Sequence, residues 1–362
     1  INNKLEKCLF NSVEKQLISD VPIGAYLSSG IDSTAIVSIM SKLKNNTNTF
    51  TIGFENNSYN EAVDAKKILN YLNTIHHEKI MTSLDIKKII PEISNAYSEP
   101  FSDSSQLPSL LIAHFAKKSV KVVLTGDGGD ELFLGYGRYL GLAPYLNKLG
   151  NQGNWAELYW HQGLPVGDAK AIAKANREQK LEPMRLLTEQ MRVLQAEYDH
   201  SPLEFLQLLD LVNYLPGSVL AKADRSSMDW GVEMRSPLLN TRLALAALAL
   251  KPQHLVKNDQ MKTVLRQLLK TKVGALPKGA KLGFGAAIRK GSELERFLQQ
   301  NSNQKLVHLV QNYNGSAIVQ WLITFSEATE RWNQNALFCL SIWIDWLSKV
   351  SKEFPAIKIF QT

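Results

Sequence analysis

The stretch YLSSGIDSTAI, Tyr26 to Ile36, decides the fold. Residues 24–28 (GAYLS) read as a buried strand that runs into it. Small polar residues (Ser28, Ser29, Gly30, Asp32, Ser33) fill the junction. Apolar residues at helical spacing follow, at Ile36, Val37, Ile39, Met40 and Leu43. The order reads as buried strand, tight loop, helix start. The first N–H groups of a helix lack intrahelical acceptors and carry partial positive charge, so they attract phosphate. Gly30 permits close backbone approach and tolerates positive φ. Ser28 and Ser33 can donate hydroxyl hydrogens to phosphate oxygens. Asp32 alone would repel phosphate. It makes sense if Mg2+ lies between them, because a hard cation takes carboxylate and phosphate oxygens together. The simpler alternative is a plain N-cap. The stretch is neither a Walker A loop nor a Gly-x-Gly-x-x-Gly fingerprint. The nearest Walker-like run, Gly274–Gly279, continues into Ala280 rather than Lys-Ser/Thr.

Working outward, strand and helix signals alternate. Phe50–Phe54, His76–Met81 and Val120–Gly126 read as further strands. Helical patterns start near Asn60, cover Ser83–Tyr97 and recur at Gln106–Lys118. Alternation of this kind predicts an α/β fold, a parallel sheet with helices on both faces. Ligands of such sheets bind at the carboxyl ends of the strands. After Tyr139 the strand signal fades, and residues 140–350 read as mostly helical, punctuated at Gly163–Pro165, Pro216–Gly217 and Leu276–Gly285. The expected organisation is a helical lead-in (1–23), a ligand-binding α/β core (24–140) and a mostly helical region (141–362) that completes the site and packs on the core. The four tryptophans between Trp321 and Trp346 are expected to pack against the α/β lobe, with a partner-binding face as the alternative.

Composition narrows the function. The chain has 362 residues, 44% hydrophobic and 21% charged, which is ordinary globular protein. Its 41 basic and 34 acidic residues give +7, which suits an anionic ligand. No run of five basic residues and no basic stripe with aromatics argues for nucleic acid. Two distant cysteines, Cys8 and Cys339, form neither a disulfide framework nor a zinc cluster, which points to a reducing, cytoplasmic setting. The longest apolar run, Leu243–Leu250, is too short to span a bilayer. Asn-x-Ser/Thr matches at Asn45, Asn56 and Asn314 mean little without a secretion signal.

A second motif sharpens the picture. The fourth strand ends in Thr125-Gly-Asp-Gly-Gly-Asp-Glu131, three glycines and three acids in seven residues, a poor core and a poor helix. At the carboxyl end of a strand this loop can lie beside the first. Asp32 and Asp130 could then hold Mg2+ on a pyrophosphate from two sides.

Ser28–Ser33 resembles the PP-loop of the ATP pyrophosphatase (adenine nucleotide alpha-hydrolase-like) fold, with Ser29 where the usual motif has its first glycine. The chain also has Glu99-Pro100-Phe101, Asp103-Ser104-Ser105, Gly126–Glu131, Asp224-Arg225 and Glu233-x-Arg235-x-Pro237. Together these resemble the synthetase domain of glutamine-hydrolysing asparagine synthetases. The resemblance implies that ATP adenylates a side-chain carboxylate, releasing pyrophosphate, and that ammonia then displaces AMP. It implies that Leu27 and Ile52 meet the adenosine through backbone and that Gly126 lies near the ribose and α-phosphate. Ser28, Gly30 and Ser33 would cradle the pyrophosphate, and Asp32 and Asp130 would bind Mg2+. Lys262-x-x-Leu265-Arg266 and Lys281-Leu-Gly-Phe284 match two basic elements of the family. Lys281 is the implied catalytic cation, Lys262 assists, and Asp127 is a candidate base for the attacking amine.

Two departures fall near the expected acceptor region: Leu215-Pro216 continues as Gly217-Ser218, and Arg235-Ser-Pro-Leu-Leu-Asn240 ends in Asn. They keep open a related amide ligase of β-lactam synthetase, lasso-cyclase or sugar-amidating type. A non-catalytic or nucleic-acid-binding relative is the remaining alternative. The family's glutaminase domain has no counterpart here, and Cys8 lies inside an apparent helix. With Ile1 as the first residue, the expectation is the synthetase part of a longer protein, or a ligase served by a glutaminase in trans. Its other partners are small molecules, with no membrane, and a homodimer is left open.

Overall fold

The computed structural model describes residues 2–55, 61–99, 103, 105–150, 155, 159, 188–194, 201–273, 293–313, 319 and 334–353. In chain order these form α1 (Asn2–Gln16), β1 (Ile23–Tyr26), α2 (Ile31–Leu43), β2 (Thr47–Phe54), α3 (Glu61–Leu69), β3 (Thr74–Met81), α4 (Ser83–Ala96), α5 (Gln106–Ala116), β4 (Val122–Leu124), α6 (Gly129–Leu132) and α7 (Gly137–Leu149). Then come α8 (Pro202–Leu209), a π-helix (Asp210–Leu220), α9 (Ala221–Met228), β5 (Glu233–Arg235), a 3-10 turn (Pro237–Leu239), α10 (Thr241–Leu248), α11 (Pro252–Leu255), α12 (Thr263–Lys272), α13 (Glu293–Tyr313) and α14 (Gln334–Glu353).

The five strands make one parallel sheet in the order β3-β2-β1-β4-β5. The order runs one way from β1 to β3 and the other way from β1 to β5. Right-handed crossovers therefore put the β1–β2 and β2–β3 helices on one face, and the helices between β4 and β5 on the other. The reversal falls between β1 and β4. At such a switch point the two loops leaving the strands diverge and leave a crevice.

The four predicted strands are all present. β1 and β4 are buried throughout or nearly so, as central strands of a covered sheet should be. The mostly helical reading after Tyr139 missed one strand, Glu233–Arg235. β5 pairs with β4 in the register Val122↔Glu233 and Leu124↔Arg235. Three residues with an exposed glutamate carry no periodicity of their own; β4 recruits them. The punctuation expected at Pro216–Gly217 is also absent. Both residues lie inside the π-helix that joins α8 to α9. The missing N–H and the ring of Pro216 disrupt an α-helical turn, and a wider turn accommodates them.

By internal packing the chain divides into two compact units that interleave in sequence. One comprises Ile1–Met81, Ser109–Trp155 and Gln190–Gly283, and contains the sheet. The other comprises Thr82–Pro108, Ala156–Glu189 and Phe284–Thr362. Within the second, Leu309, Val319, Leu340, Ile344 and Leu347 form a buried cluster, with Trp346 packed against it. A capping box at Thr82 and Asp85 starts α4. Trp321 and Trp332 lie outside the described residues. Among the described residues no helix is long and apolar enough to cross a membrane.

Candidate active site

The loops after β1 and β4 meet at the switch point. In the first, Ser28 and Ser33 fold the chain onto itself. Their hydroxyls are 2.9 Å apart, and the Ser28 N–H donates to Ser33 Oγ at 3.2 Å. The Gly30 N–H donates to Ser28 Oγ at 3.1 Å, and Thr34 Oγ1 donates to the Gly30 carbonyl at 2.7 Å. Gly30 is the N-cap of α2, with φ −78° and no side-chain cap bond. The plain Asp/Ser cap is therefore not what this loop builds, and Gly30's tolerance of positive φ is not used. The N-terminal turn of α2 opens towards the crevice with its helix-dipole end.

The second loop is pressed against that turn. A Cβ on Gly126 would stand 2.7 Å from the Ser33 nitrogen and 2.8 Å from Asp32 Cβ, and one on Gly129 would overlap the Asp32 carboxylate. Gly128 has φ +85°, the left-handed conformation glycine adopts without strain. Glycine spacing therefore sets how closely the loops approach. Sequence reading assigned Gly126 alone; the run of three glycines among acids was the signal for the others.

Asp32 and Asp130 are brought together, each less than a tenth exposed. Between them lies Lys262, 6% exposed. Its Nζ donates to Asp32 Oδ2 and is 2.6 Å from Asp130 Oδ1. Lys262 is the N-cap of α12 in a left-handed backbone conformation, φ 57° and ψ 35°. Its stem runs against Gly135, where any Cβ would overlap Lys262 Cε. Gly135 in turn donates its N–H to the Asp130 carbonyl at 2.8 Å. Sequence reading missed Gly135, because nothing local marks it.

The other predicted residues are distributed as follows. Asp127 is half-buried and accepts from Thr125 Oγ1 at 2.7 Å; Thr125 Oγ1 is also 3.3 Å from Ser236 Oγ. Burial, reinforced by Asp127, raises the pKa of the Tyr26 phenol above its ordinary value. Leu27 is buried; its N–H donates to the Phe50 carbonyl at 2.9 Å and its carbonyl accepts from Thr51 Oγ1 at 2.5 Å. Ile52 is buried on β2, in register with Lys79 on β3. Lys281 lies outside the described residues, as do Pro100, Phe101 and Ser104.

Behind the acidic loop stands a buried network. Burial raises the Glu131 carboxyl to about 7, opposed by a 2.6 Å hydrogen bond from the Tyr136 hydroxyl. Arg138 stacks over the Tyr136 ring at 3.8 Å and pairs with the fully buried Asp210 at 2.5 Å. The Tyr139 hydroxyl donates to the same Asp210 oxygen. This network fixes α6 and α7 to the π-helix.

Two carboxylates offer the hard oxygen donors that Mg2+ takes, and Mg2+ is usually held by one or two carboxylates with phosphate oxygens and water completing its shell. Among the described residues no group of three or more His, Cys, Asp or Glu forms a fuller metal cage. The pair already closes on a cation, the Lys262 ammonium. The donor set therefore fits Mg2+.

Such a sheet, with a helix start and an acidic glycine loop at its switch point, defines a parallel α/β protein whose ligand crevice lies at the carboxyl ends of its strands. The sequence model described as asparagine synthase matches residues 4–344, and the chain belongs to the asparagine synthase family. A putative asparagine synthetase (glutamine-hydrolyzing) of Mycobacterium tuberculosis is 30% identical over 314 residues, 79% of this chain and 48% of the relative. Asparagine synthetase (glutamine-hydrolyzing) 1 of Bacillus subtilis is 27% identical over 346 residues, 87% of this chain and 53% of the relative. A second putative asparagine synthetase, of Methanocaldococcus jannaschii, is 32% identical over 250 residues, 62% and 48% of the two chains. The chain spans about half the length of the curated relatives it matches.

Proposed function

We propose that this chain is the synthetase part of an ATP-dependent, AMP-forming amide ligase that acts on the aspartate side chain. An oxygen of the carboxylate attacks the α-phosphorus of ATP, and pyrophosphate leaves. Ammonia then attacks the acyl carbon, and AMP leaves with the carboxyl oxygen. A glutaminase, in cis or in trans, supplies the ammonia, and the setting is cytoplasmic.

The observation that carries the reading is the meeting of the Ser28–Ser33 and Gly126–Asp130 loops at the sheet's switch point, with Asp32 and Asp130 closing on one cation. In this reading Ser28, Gly30 and Ser33 take the pyrophosphate, while Leu27, Ile52 and Gly126 line the adenosine side. Asp32 and Asp130 hold Mg2+, which when bound neutralises charge on the phosphates. Lys262 pairs with the departing phosphate oxygens. Lys281 stabilises charge that builds on the α-phosphate in the transition state. Asp127, oriented by Thr125, receives the amine proton. Adenylation replaces a poor leaving group with a good one, and holding ammonia against the acyl carbon supplies ~7–11 kcal/mol of the remaining barrier.

The test is ATP–pyrophosphate exchange with Mg2+, scanned over amino-acid carboxylates, with AMP measured after ammonia is added. Aspartate-dependent exchange and AMP release are expected. ADP and phosphate as products would refute adenylation. Exchange dependent on another carboxylate would favour the β-lactam, lasso or sugar-amidating type. Gly217 and Ser218 in the π-helix, where the family pattern continues with Asp, are the specific support for that second reading.

A further inference from the structure

Lys262 occupies the place where a bridging divalent ion would have to stand. Its ammonium pairs with one oxygen of Asp32 and lies 2.6 Å from one oxygen of Asp130. All three side chains are nearly fully buried. The arrangement is specific to this lysine. Its stem crosses Gly135 along a path that any side chain at 135 would close. Its backbone sits in the left-handed region, sparsely populated for a residue with a Cβ and kept only where the surroundings enforce it. These features aim one flexible cation at the gap between two loops that come from different strands.

We infer that Lys262 is a displaceable counterion: it holds Asp32 and Asp130 together in the nucleotide-free protein and makes divalent-metal binding there depend on a polyphosphate. The inference rests on the reading that Asp32 and Asp130 take the metal. Two acids and one ammonium carry a net charge of −1, against −2 for the acids alone, so the ammonium removes half of the buried charge. A divalent ion entering between the same oxygens repels the ammonium at close range, where the low dielectric magnifies the repulsion. Expelled alone, the ammonium loses its partners, so metal without phosphate is opposed. A pyrophosphate group at the start of α2 brings the anionic oxygens that receive it. Metal and polyphosphate therefore each promote binding of the other, and by linkage the coupling is equal in both directions. The site stays closed to free metal and opens to the metal–polyphosphate pair.

Mn2+ serves as the spectroscopic probe. Free Mn2+ is titrated by electron paramagnetic resonance against the full chain, without nucleotide, in the presence and absence of pyrophosphate, with solution Mn2+–pyrophosphate accounted for. In the wild type, pyrophosphate should tighten Mn2+ binding by about tenfold or more, a typical coupling. Lys262→Met should bind Mn2+ about tenfold more tightly than wild type without pyrophosphate, and pyrophosphate should then add little. Circular dichroism checks that the variant is folded. If it is not, Lys262→Gln takes its place in the same titrations. Equal wild-type affinity with and without pyrophosphate overturns the counterion role while leaving the metal assignment standing. No Mn2+ bound even with pyrophosphate, in wild type and variant, overturns the metal assignment and the counterion role together. Aspartate-dependent exchange is measured separately, so loss of that activity reading is seen on its own.

Discussion

A Cβ on Gly126 would stand 2.7 Å from the backbone nitrogen of Ser33, closer than real Cβ contacts come. Gly126 lies in the loop that leaves β4, and Ser33 in the first turn of α2, which follows the adjacent strand β1. The contact is backbone against backbone, so no side chain can move aside to admit a methyl group. Close approach of the acidic loop to the start of α2 is thus a property of the main chain.

Gly126→Ala should therefore cost about 1–3 kcal/mol of stability through overpacking, and should lower exchange activity by moving Asp32 relative to Asp130. Gly141 provides the control. It lies inside α7, and a Cβ there meets nothing within 4 Å. Gly141→Ala should stabilise by about 0.5–1 kcal/mol. Urea denaturation of both variants checks the pair. Equal effects of the same sign would refute the close-approach argument.

Arg138 supports the acidic loop from behind. Its guanidinium stacks on Tyr136 at 3.8 Å and lies 4.9 Å from the Tyr214 ring, while pairing with buried Asp210. Lysine keeps the charge but has no flat face to stack and no fork to share. Arg138→Lys should cost about 1–2 kcal/mol, the scale of a desolvated cation–π contact. Exposed Arg242, changed the same way, should be neutral. Urea midpoints separate the outcomes.

The sheet was legible where strands carry their own apolar runs: β1, β2, β3 and β4 all fall within a few residues of their expected places. β5 was not, because Glu233–Arg235 becomes a strand only by pairing with β4. The π-helix was not, because Pro216-Gly217 spells a break locally and only packing makes the turn continuous. In the site, Asp32 and Asp130 could be placed together because both follow strands of one sheet. Their shared partner could not. Lys262 is 230 positions from Asp32, and only its match to the family's Lys-x-x-Leu-Arg element had pointed to the site, without saying which residues it would meet. Fold geometry, rather than local pattern, makes those three residues neighbours.

Acid should weaken the edge of the sheet. His76 on β3 lies 3.0 Å from Thr49 Oγ1 through Nδ1. Burial lowers its pKa below the ordinary 6.5; Glu78 opposes this, and His77 and Lys66 reinforce it. The folded protein thus resists a proton that the unfolded chain accepts. Stability from this residue is present above the unfolded value and is lost as pH falls through it. His76→Gln keeps a polar partner for Thr49 and removes the titration. Urea midpoints measured from pH 7.5 down to pH 5 (flanking the ordinary value, about 6.5) should fall less steeply in the variant. Parallel slopes would show that His76 does not contribute.

The Asp32–Lys262–Asp130 cluster makes opposite predictions for its two kinds of member. With both acids ionised its net charge is −1, so the cluster has one more acid than it can neutralise. Asp130→Asn brings it to zero while an amide of nearly the same size keeps the oxygen near Lys262 Nζ. The nucleotide-free variant should be as stable as wild type or slightly more so. Lys262→Met leaves two buried carboxylates facing each other at net −2. Removing one partner of a buried ion pair typically costs about 3–5 kcal/mol, and that loss is expected here. Metal-dependent exchange should fall to background in both variants, since one lacks a carboxylate for Mg2+ and the other lacks the cation that follows the phosphate. Activity alone therefore cannot tell them apart, and stability can. Urea denaturation without metal or nucleotide should show Lys262→Met far below Asp130→Asn. If Asp130→Asn were the less stable, the charge balance assigned to this cluster would be wrong.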